Sequence, residues 1–328
     1  MRRISKKHIM MAMVPIVMVG AIISVVKMSN NESVSLNHEF VIDMSEKNYR
    51  KVYLLDENKY LIPLSIDISN KEYLVDEIYT VVSNLRDLQV EGFTSVLAKD
   101  VKINAIELEN GVLNIDFSKE FLVYQKDLEE KIIESLTWSV MDFEEVNGLT
   151  ISVDGVKLEK MPISGLVLPS VLDKQIGINK YHDLVSNYSD SDSVVVMYQK
   201  ELAGNTYYIP ITRRIDRQDS DIVAVFKGIE KEIGVLSGVR KIDEISSLDF
   251  NNINCENDKV SVNLNSGFLI EDNLIDSNIY ELLMVMFEYN GVEAGIDFYI
   301  DEESVEVNGY STSDESKVST IVFNEIDI

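Results

Sequence analysis

Cysteine is nearly absent from this 328-residue chain. Cys255 stands alone, so no internal disulfide and no cysteine-based zinc site can be built. Histidine is scarce as well: His8, His38 and His182 are scattered, which leaves few candidates for a metal ligand or a general base. Proline and glycine number 5 and 15 while the apolar share is an ordinary 45%, which excludes collagen-like, low-complexity and disordered chains. Bases are outnumbered, 30 Lys and Arg against 56 Asp and Glu, for a net charge of -26. Arg2, Arg3, Lys6, Lys7 and Lys27 fall in the first 27 residues, which hold no acid, so the remainder is more acidic still. A surface of that sign repels phosphate backbones and anionic headgroups and argues against nucleic acid as a partner.

One long hydrophobic run is present. Ile9 to Val26 is uncharged, and as a helix it would extend about 27 Å against a hydrocarbon core of about 30 Å. A cleaved signal peptide normally carries a shorter apolar region ending in small residues, whereas Gly20-Ala21 is followed here by Ile22-Ile23-Ser24-Val25-Val26. No cysteine follows for lipid attachment. The pattern favours an uncleaved single-pass anchor over residues 1–28, with the basic N-terminus in the cytoplasm and the acidic body outside. A polar stalk is expected over 29–50.

The rest of the chain repeats itself with a period of 147 residues. Tyr60-Leu61-Ile62-Pro63-Leu64 returns as Tyr207-Tyr208-Ile209-Pro210-Ile211, and Phe121-Leu122 as Phe268-Leu269. The same offset joins Asn110 to Asn257, Ile132 to Ile279, Leu136 to Leu283, Gly148 to Gly295 and Asp154 to Asp301.

Each repeat carries the same pattern. Val52–Leu55 with Tyr60–Ile66, and Val194–Tyr198 with Tyr207–Thr212 across a longer loop, read as hairpins. A helical stripe follows, with Leu74, Val75, Ile78, Val82 and Leu85 matched by Ile222, Val225, Ile229 and Ile233. Ile103–Leu108 and Val112–Phe117 flank Asn110-Gly111, a tight-hairpin signal that weakens to Asn257-Asp258 in the second repeat. Leu128, Ile132, Leu136 and Val140 then recur as Ile275, Ile279, Leu283 and Phe287, one buried face of a second helix. Leu149–Val153 and Ile296–Ile300 close each repeat as strands. The order is β-β-α-β-β-α-β, an α+β fold of two tandem domains, each an antiparallel or mixed sheet with two helices packed on one face. The expected boundaries are 51–155 and 194–309, with 156–193 between them and 310–328 as a tail. Residues 52–154 are expected to fold alone. Leu166-Val167-Leu168 and Val171-Leu172 are too apolar for a free linker and are expected to lie against repeat one or to bridge the domains. Val318–Phe323 reads as an added edge strand.

A strand ending in Val112-Leu113-Asn114-Ile115-Asp116-Phe117-Ser118, Phe121 soon after, a helix with Ser135-Leu136-Thr137, and Leu149–Val153 before Asp154-Gly155 together resemble the GerMN domain family of sporulation and germination proteins. The resemblance spans about residues 52–309 and is better in repeat one, since Asp116 and Ser118 become Asn263 and Asn265 in repeat two. It implies a fold similar to the ring-building domains of secretion systems. It also implies a non-enzymatic role beside the cell membrane, in the space between mother cell and forespore, assembling with other sporulation membrane-complex proteins or with itself. Family members in bacilli are lipoproteins, and the missing lipobox cysteine departs from that.

The residues offer little rival chemistry. Asp116 and Glu120 could form a glycosidase pair if held roughly 5–9.5 Å apart, but repeat two has Asn263 and Gly267 there. The alternative is that Asp116 and Ser118 satisfy backbone N–H groups where the strand ends, as Asn263 and Asn265 also can. Ser118 lacks a base, and no G-x-S-x-G is present. Asp190 and Asp192 lack the glycine and distant Glu of a calcium loop. Trp138 aligns with Val285 and reads as packing, and Cys255 as an inert thiol. No catalytic, cofactor-binding or metal-binding residue is therefore assigned, and no cofactor is implied. The rival to a scaffold is a protein that binds or modifies peptidoglycan of the spore cortex.

Overall fold

The computed structural model describes residues 41–42, 321–326, and 47–310 apart from 70, 72, 219, 232, 235, 237, 247, 249–252, 257–258 and 271–272. The run Ile9–Val26, His8, His38 and the turn Asn257-Asp258 lie outside the described residues. Among the described residues no helix is long and apolar enough to cross a membrane.

Strand β1 (Val41–Ile42) lies within the stretch expected to be a stalk. Repeat one opens with a hairpin of β2 (Tyr49–Leu55) and β3 (Leu61–Asp67), in register from Tyr49 opposite Asp67 to Leu55 opposite Leu61. It continues through α1 (Leu74–Asp87), β4 (Ile103–Glu109), β5 (Val112–Phe117), α2 (Glu129–Val140), β6 (Gly148–Val153) and β7 (Val156–Lys157). Strands β4 to β7 form one sheet in chain order, parallel between β5 and β6 and antiparallel elsewhere.

Repeat two follows the same path. It begins with β8 (Ser191–Leu202), β9 (Asn205–Asp216) and α3 (Asp221–Glu230). Next come β10 (Val239–Arg240), which meets β8 much as Thr94 meets Leu55 on β2, and a short α4 (Asp243–Ser246), for which repeat one has no equivalent helix. Then β11 (Ile253–Glu256), β12 (Lys259–Leu264), α5 (Ser277–Tyr289), β13 (Gly295–Ile300) and β14 (Glu303–Val305) reproduce the second sheet, again parallel across the helix. Strand β15 (Ile321–Val322) pairs with β1.

The chain is an α+β protein, and its turns explain part of the register. Asn110-Gly111 has φ of 51° and 79°, and Asp154-Gly155 has 48° and 78°; two successive positive φ values are what a two-residue hairpin turn requires. The β8–β9 hairpin turns at Ala203-Gly204 in the same way, so the longer loop expected there is replaced by strands of 12 residues each. Ser191 to Ser193, expected to close a linker, begin β8.

Two further differences matter. Each repeat holds two sheets, because its hairpin is not hydrogen-bonded to its four-stranded sheet. And α2 is buried on nearly every side, so helices packed on one face of a single sheet do not describe it. Ile132, Leu136 and Val140 are buried as expected, but Ser135, Thr137, Trp138 and Ser139 are buried too. The reason is local: the Ser135 hydroxyl donates to the Tyr53 carbonyl at 2.7 Å, and the Tyr53 N–H donates to Ser139 Oγ at 3.3 Å. Small hydroxyl side chains one turn apart let the open edge of β2 lie against the helix. In α1, Ile78, Val81, Val82 and Leu85 form the buried stripe, and Val75, in the first turn, is turned outward.

The segment after repeat one serves both repeats. Leu172 exchanges two 2.8 Å hydrogen bonds with Leu149 on β6, and Ile178 to Tyr181 then run beside Thr212 on β9. The chain end does the reverse, laying Phe323 to Ile326 beside Ser65 on β3. The described residues from Val41 onward form one compact unit rather than two.

Leu136 is fully buried in α2. Leu136→Ala is expected to cost about 2–5 kcal/mol, and Leu136→Asp to prevent folding. In urea, Trp138 fluorescence and far-UV circular dichroism of the wild-type chain should report one coincident transition. Separate transitions would show that the repeats unfold independently.

Candidate functional site

The carboxylates singled out by the sequence are occupied by their own backbone. Asp116 sits on β5, where one oxygen accepts the Gly155 N–H at 2.8 Å and the other accepts from the Asn104 side-chain amide at 3.1 Å. It thereby holds the Asp154-Gly155 turn. Ser118 is buried, and its Oγ accepts the Lys102 N–H at 3.1 Å while its own N–H donates to the Lys102 carbonyl. Glu120 takes a hydrogen bond from the Ser118 hydroxyl and another from its own backbone N–H. With Lys119 and Lys102 nearby, these hold its carboxyl below the ordinary value. A glycosidase acid needs the opposite shift. In repeat two, Asn265 accepts the Gly267 N–H at 2.9 Å and caps a short helical turn.

The other candidates are dispersed. Trp138 donates to the Gly177 carbonyl at 3.0 Å and stacks on Tyr289 of repeat two, with ring centroids 5.3 Å apart. Asp190 and Asp192 both face Arg217, at 3.3 and 3.6 Å. His182 is exposed, and Cys255 lies on β11 opposite Val260. Among the described residues no three His, Cys, Asp or Glu side chains stand close enough to hold a metal ion.

Polar groups gather instead at the joint between the repeats, around two asparagines that pattern reading passed over. Asn179 follows repeat one, is buried, and has a φ of 46°. Its side chain accepts the Leu61 N–H at 2.9 Å and donates to the Leu61 carbonyl at 2.7 Å and the Pro210 carbonyl at 2.9 Å. Asn324 follows repeat two, is buried, and has a φ of 52°. It accepts the Tyr208 N–H at 2.8 Å and donates to the Tyr208 carbonyl at 2.7 Å and the Pro63 carbonyl at 2.8 Å. Tyr208 and Pro210 lie 147 residues after Leu61 and Pro63, so each asparagine clamps one repeat by both backbone groups and the other by its proline carbonyl. Asparagine suits both requirements, since its amide is donor and acceptor and it tolerates positive φ. Proline at 63 and 210 leaves no N–H to be stranded where the two edges meet.

Charged groups reinforce the joint. Lys200 on β8 is buried and bonds the Asp56 carboxylate and, at 2.6 Å, the Asn58 side chain of repeat one. Lys51 on β2 reaches Asp142 at 3.0 Å and Glu288 of repeat two at 3.1 Å. Beside it the Tyr53 and Tyr289 hydroxyls share a hydrogen bond of 2.7 Å. Burial works to raise the Asp142 carboxyl, but the Lys51 ammonium outweighs it and holds the group below its ordinary 3.8. Burial likewise works to lower Lys51, and Asp142 and Glu288 overcome it, so the ammonium is held well above its ordinary value.

The Asp142 contribution is complete above about pH 4 and lost as the pH falls through its folded value, while that of Lys51 persists to strongly alkaline pH. Asp142→Asn should therefore cost about 3 kcal/mol at pH 7 and flatten the acid limb of stability against pH. Asn179→Ala, which strands three buried backbone groups, should cost about 3 kcal/mol with no such change in pH dependence. Urea midpoints measured from pH 3 to 8 separate the two, and unchanged midpoints for Asn179→Ala would show that the clamp carries no stability.

Known proteins share parts of this sequence and the fold. The family described as "Germane: Sporulation and spore germination" matches residues 51–159. The spore germination protein GerM of Bacillus subtilis (strain 168) is 29% identical over 194 residues, which cover 58% of this chain and 53% of that protein. The chain thus matches about half the length of this curated relative. The solved tandem GerMN domains of the sporulation protein GerM from Bacillus subtilis share the fold, with a TM-score of 0.66 at 23% identity over 81% of this chain and 92% of that one. The chain is thus GerM-like: it carries a GerMN, or Germane, domain at residues 51–159 and is similar in fold to the solved tandem GerMN domains.

Proposed function

We propose that this protein acts in spore formation and germination as a non-enzymatic scaffold. In this reading it is anchored in the cell membrane by Ile9–Val26 with its acidic body outside, and it assembles with other sporulation membrane proteins between mother cell and forespore. The observation that carries the reading is the use of Asp116. The strand-end carboxylate that the sequence offers as half of a glycosidase pair accepts the Gly155 N–H and the Asn104 amide, and its equivalent in repeat two is Asn263. A scaffold further needs a body that holds its shape under load, and the clamped joint supplies one: ion pairs and buried amides tie each repeat to the other.

An amide at position 116 can still accept the Gly155 N–H. Asp116→Asn in the chromosomal gene is therefore expected to leave protein level, spore yield and germination as in the parent strain, whereas loss of a general acid or base costs about 10²–10⁴ in rate. Loss of spores at normal protein level would overturn the scaffold reading in favour of cortex peptidoglycan chemistry. Saturable binding of cortex muropeptides by the purified protein would point the same way.

A further inference from the structure

We propose that the edge of β3 turned away from β2, with Tyr208 facing it, is a seat for the C-terminal segment Val322–Ile326, and that the segment of a second copy of this chain can fill it, so that two chains join by exchanging tails. The seat engages the segment through its backbone and through the side chains of Phe323, Asn324 and Glu325, the last accepting from the Tyr49 hydroxyl. The Ser65 N–H donates to the Asn324 carbonyl at 3.1 Å, and the Ile326 N–H donates to the Ser65 carbonyl at 3.2 Å. The Ser65 hydroxyl donates to the Phe323 carbonyl at 2.7 Å. The Asn324 side chain engages Pro63 and Tyr208 as described above. Phe323 is buried, its ring edge-on to Tyr208 with centroids 6.4 Å apart and tilted against Tyr289 at the same distance.

The side-chain bonds join the tail to residues between 116 and 276 positions away. The same set therefore forms whichever chain supplies the tail, which is the condition for exchange at little cost in contacts. The chain already makes one such exchange internally, since Ile178 to Tyr181, leaving repeat one, lie on β9 of repeat two. Residues 311–320 connect Tyr310 to Ile321, and a connection of that length can span about 35 Å when extended, enough to reach a neighbouring molecule.

Two forces keep the tail at home in dilute solution. The tether gives it a local concentration on the order of millimolar, and a net charge of -26 drives copies apart. Crowding and salt oppose these, the second by screening. This proposal names a second copy as a partner for the scaffold, but it needs only the seat and stands or falls apart from the phenotype of Asp116→Asn.

The test uses the full chain in detergent micelles, prepared with two different affinity tags and mixed at about 100 µM in low and high salt. The expected result is mixed-tag dimers that increase with salt and fall at least about tenfold when both chains end at residue 320, with circular dichroism unchanged. If the shortened chain does not fold, excess synthetic peptide of residues 321–328 is added to the wild-type mixture instead, and the mixed dimers should disappear. An absence of mixed dimers, or mixed dimers that withstand both the truncation and the peptide, overturns the proposal.

Discussion

A two-stranded hairpin has two open edges, and every N–H and C=O along them has to find a partner once it is buried. The rest of this structure is arranged around that requirement. The outer edge of β2 is met by Ser135, Ser139 and Asp142 at the end of α2. That of β8 is met by β10 and by Asn290, which exchanges two 2.8 Å bonds with Val195. The edges of β3 and β9 face each other, and the asparagines, the prolines and the two crossing segments close the gap. Neither repeat has enough chain of its own to cover its inner edge, so each borrows from the segment that follows the other. For that reason the core does not divide at the repeat boundary.

Burying charge at such a joint would be costly if either partner could leave. Removing one member of a buried pair strands the other, which typically costs several kcal/mol. Lys200 with Asp56 therefore acts as a conditional tie, favourable only while the repeats stay together. Glu134 extends the same logic, accepting the Asn179 N–H at 3.1 Å while pairing with Lys131 and Lys180. The acidic exterior and the paired interior serve different ends: the surface keeps copies dispersed, and the joint keeps one molecule in one piece.

Much of this was legible in the sequence. Strand and helix order followed from periodicity, because Ile132, Leu136 and Val140 are core residues at helical spacing. The Asn110-Gly111 turn followed from the φ values those residue types tolerate. The 147-residue period located the Tyr-x-Ile-Pro segments without revealing their purpose. What hydrophobic patterning misses is buried polarity. Ser135 and Ser139 look like the wet side of α2, and Asn179 and Asn324 look like loop residues. Each is inside because it satisfies a strand edge, and an edge is a property of pairing, which one strand's sequence does not display. Two proline-marked strands at matching places in a duplicated chain were the available signal, since proline inside a sheet belongs on an edge.

Comparing the repeats position by position separates what the fold requires from what one repeat happens to use. Pro63 and Pro210, Ile132 and Ile279, Leu136 and Leu283, and the buried acids Glu134 and Glu281 are all retained across the offset. The last pair keeps its burial but changes its partners, Glu134 bonding the backbone of Asn179 and Glu281 the Tyr310 hydroxyl. Asp116 and Ser118 are not retained. Divergence has thus been free at the strand end, where an amide can replace a carboxylate, and constrained at the joint, where proline has no substitute that both lacks an N–H and keeps the strand extended. Because the retained prolines sit where the two hairpins meet, the joint fixes how the outer faces of the repeats are presented to any partner.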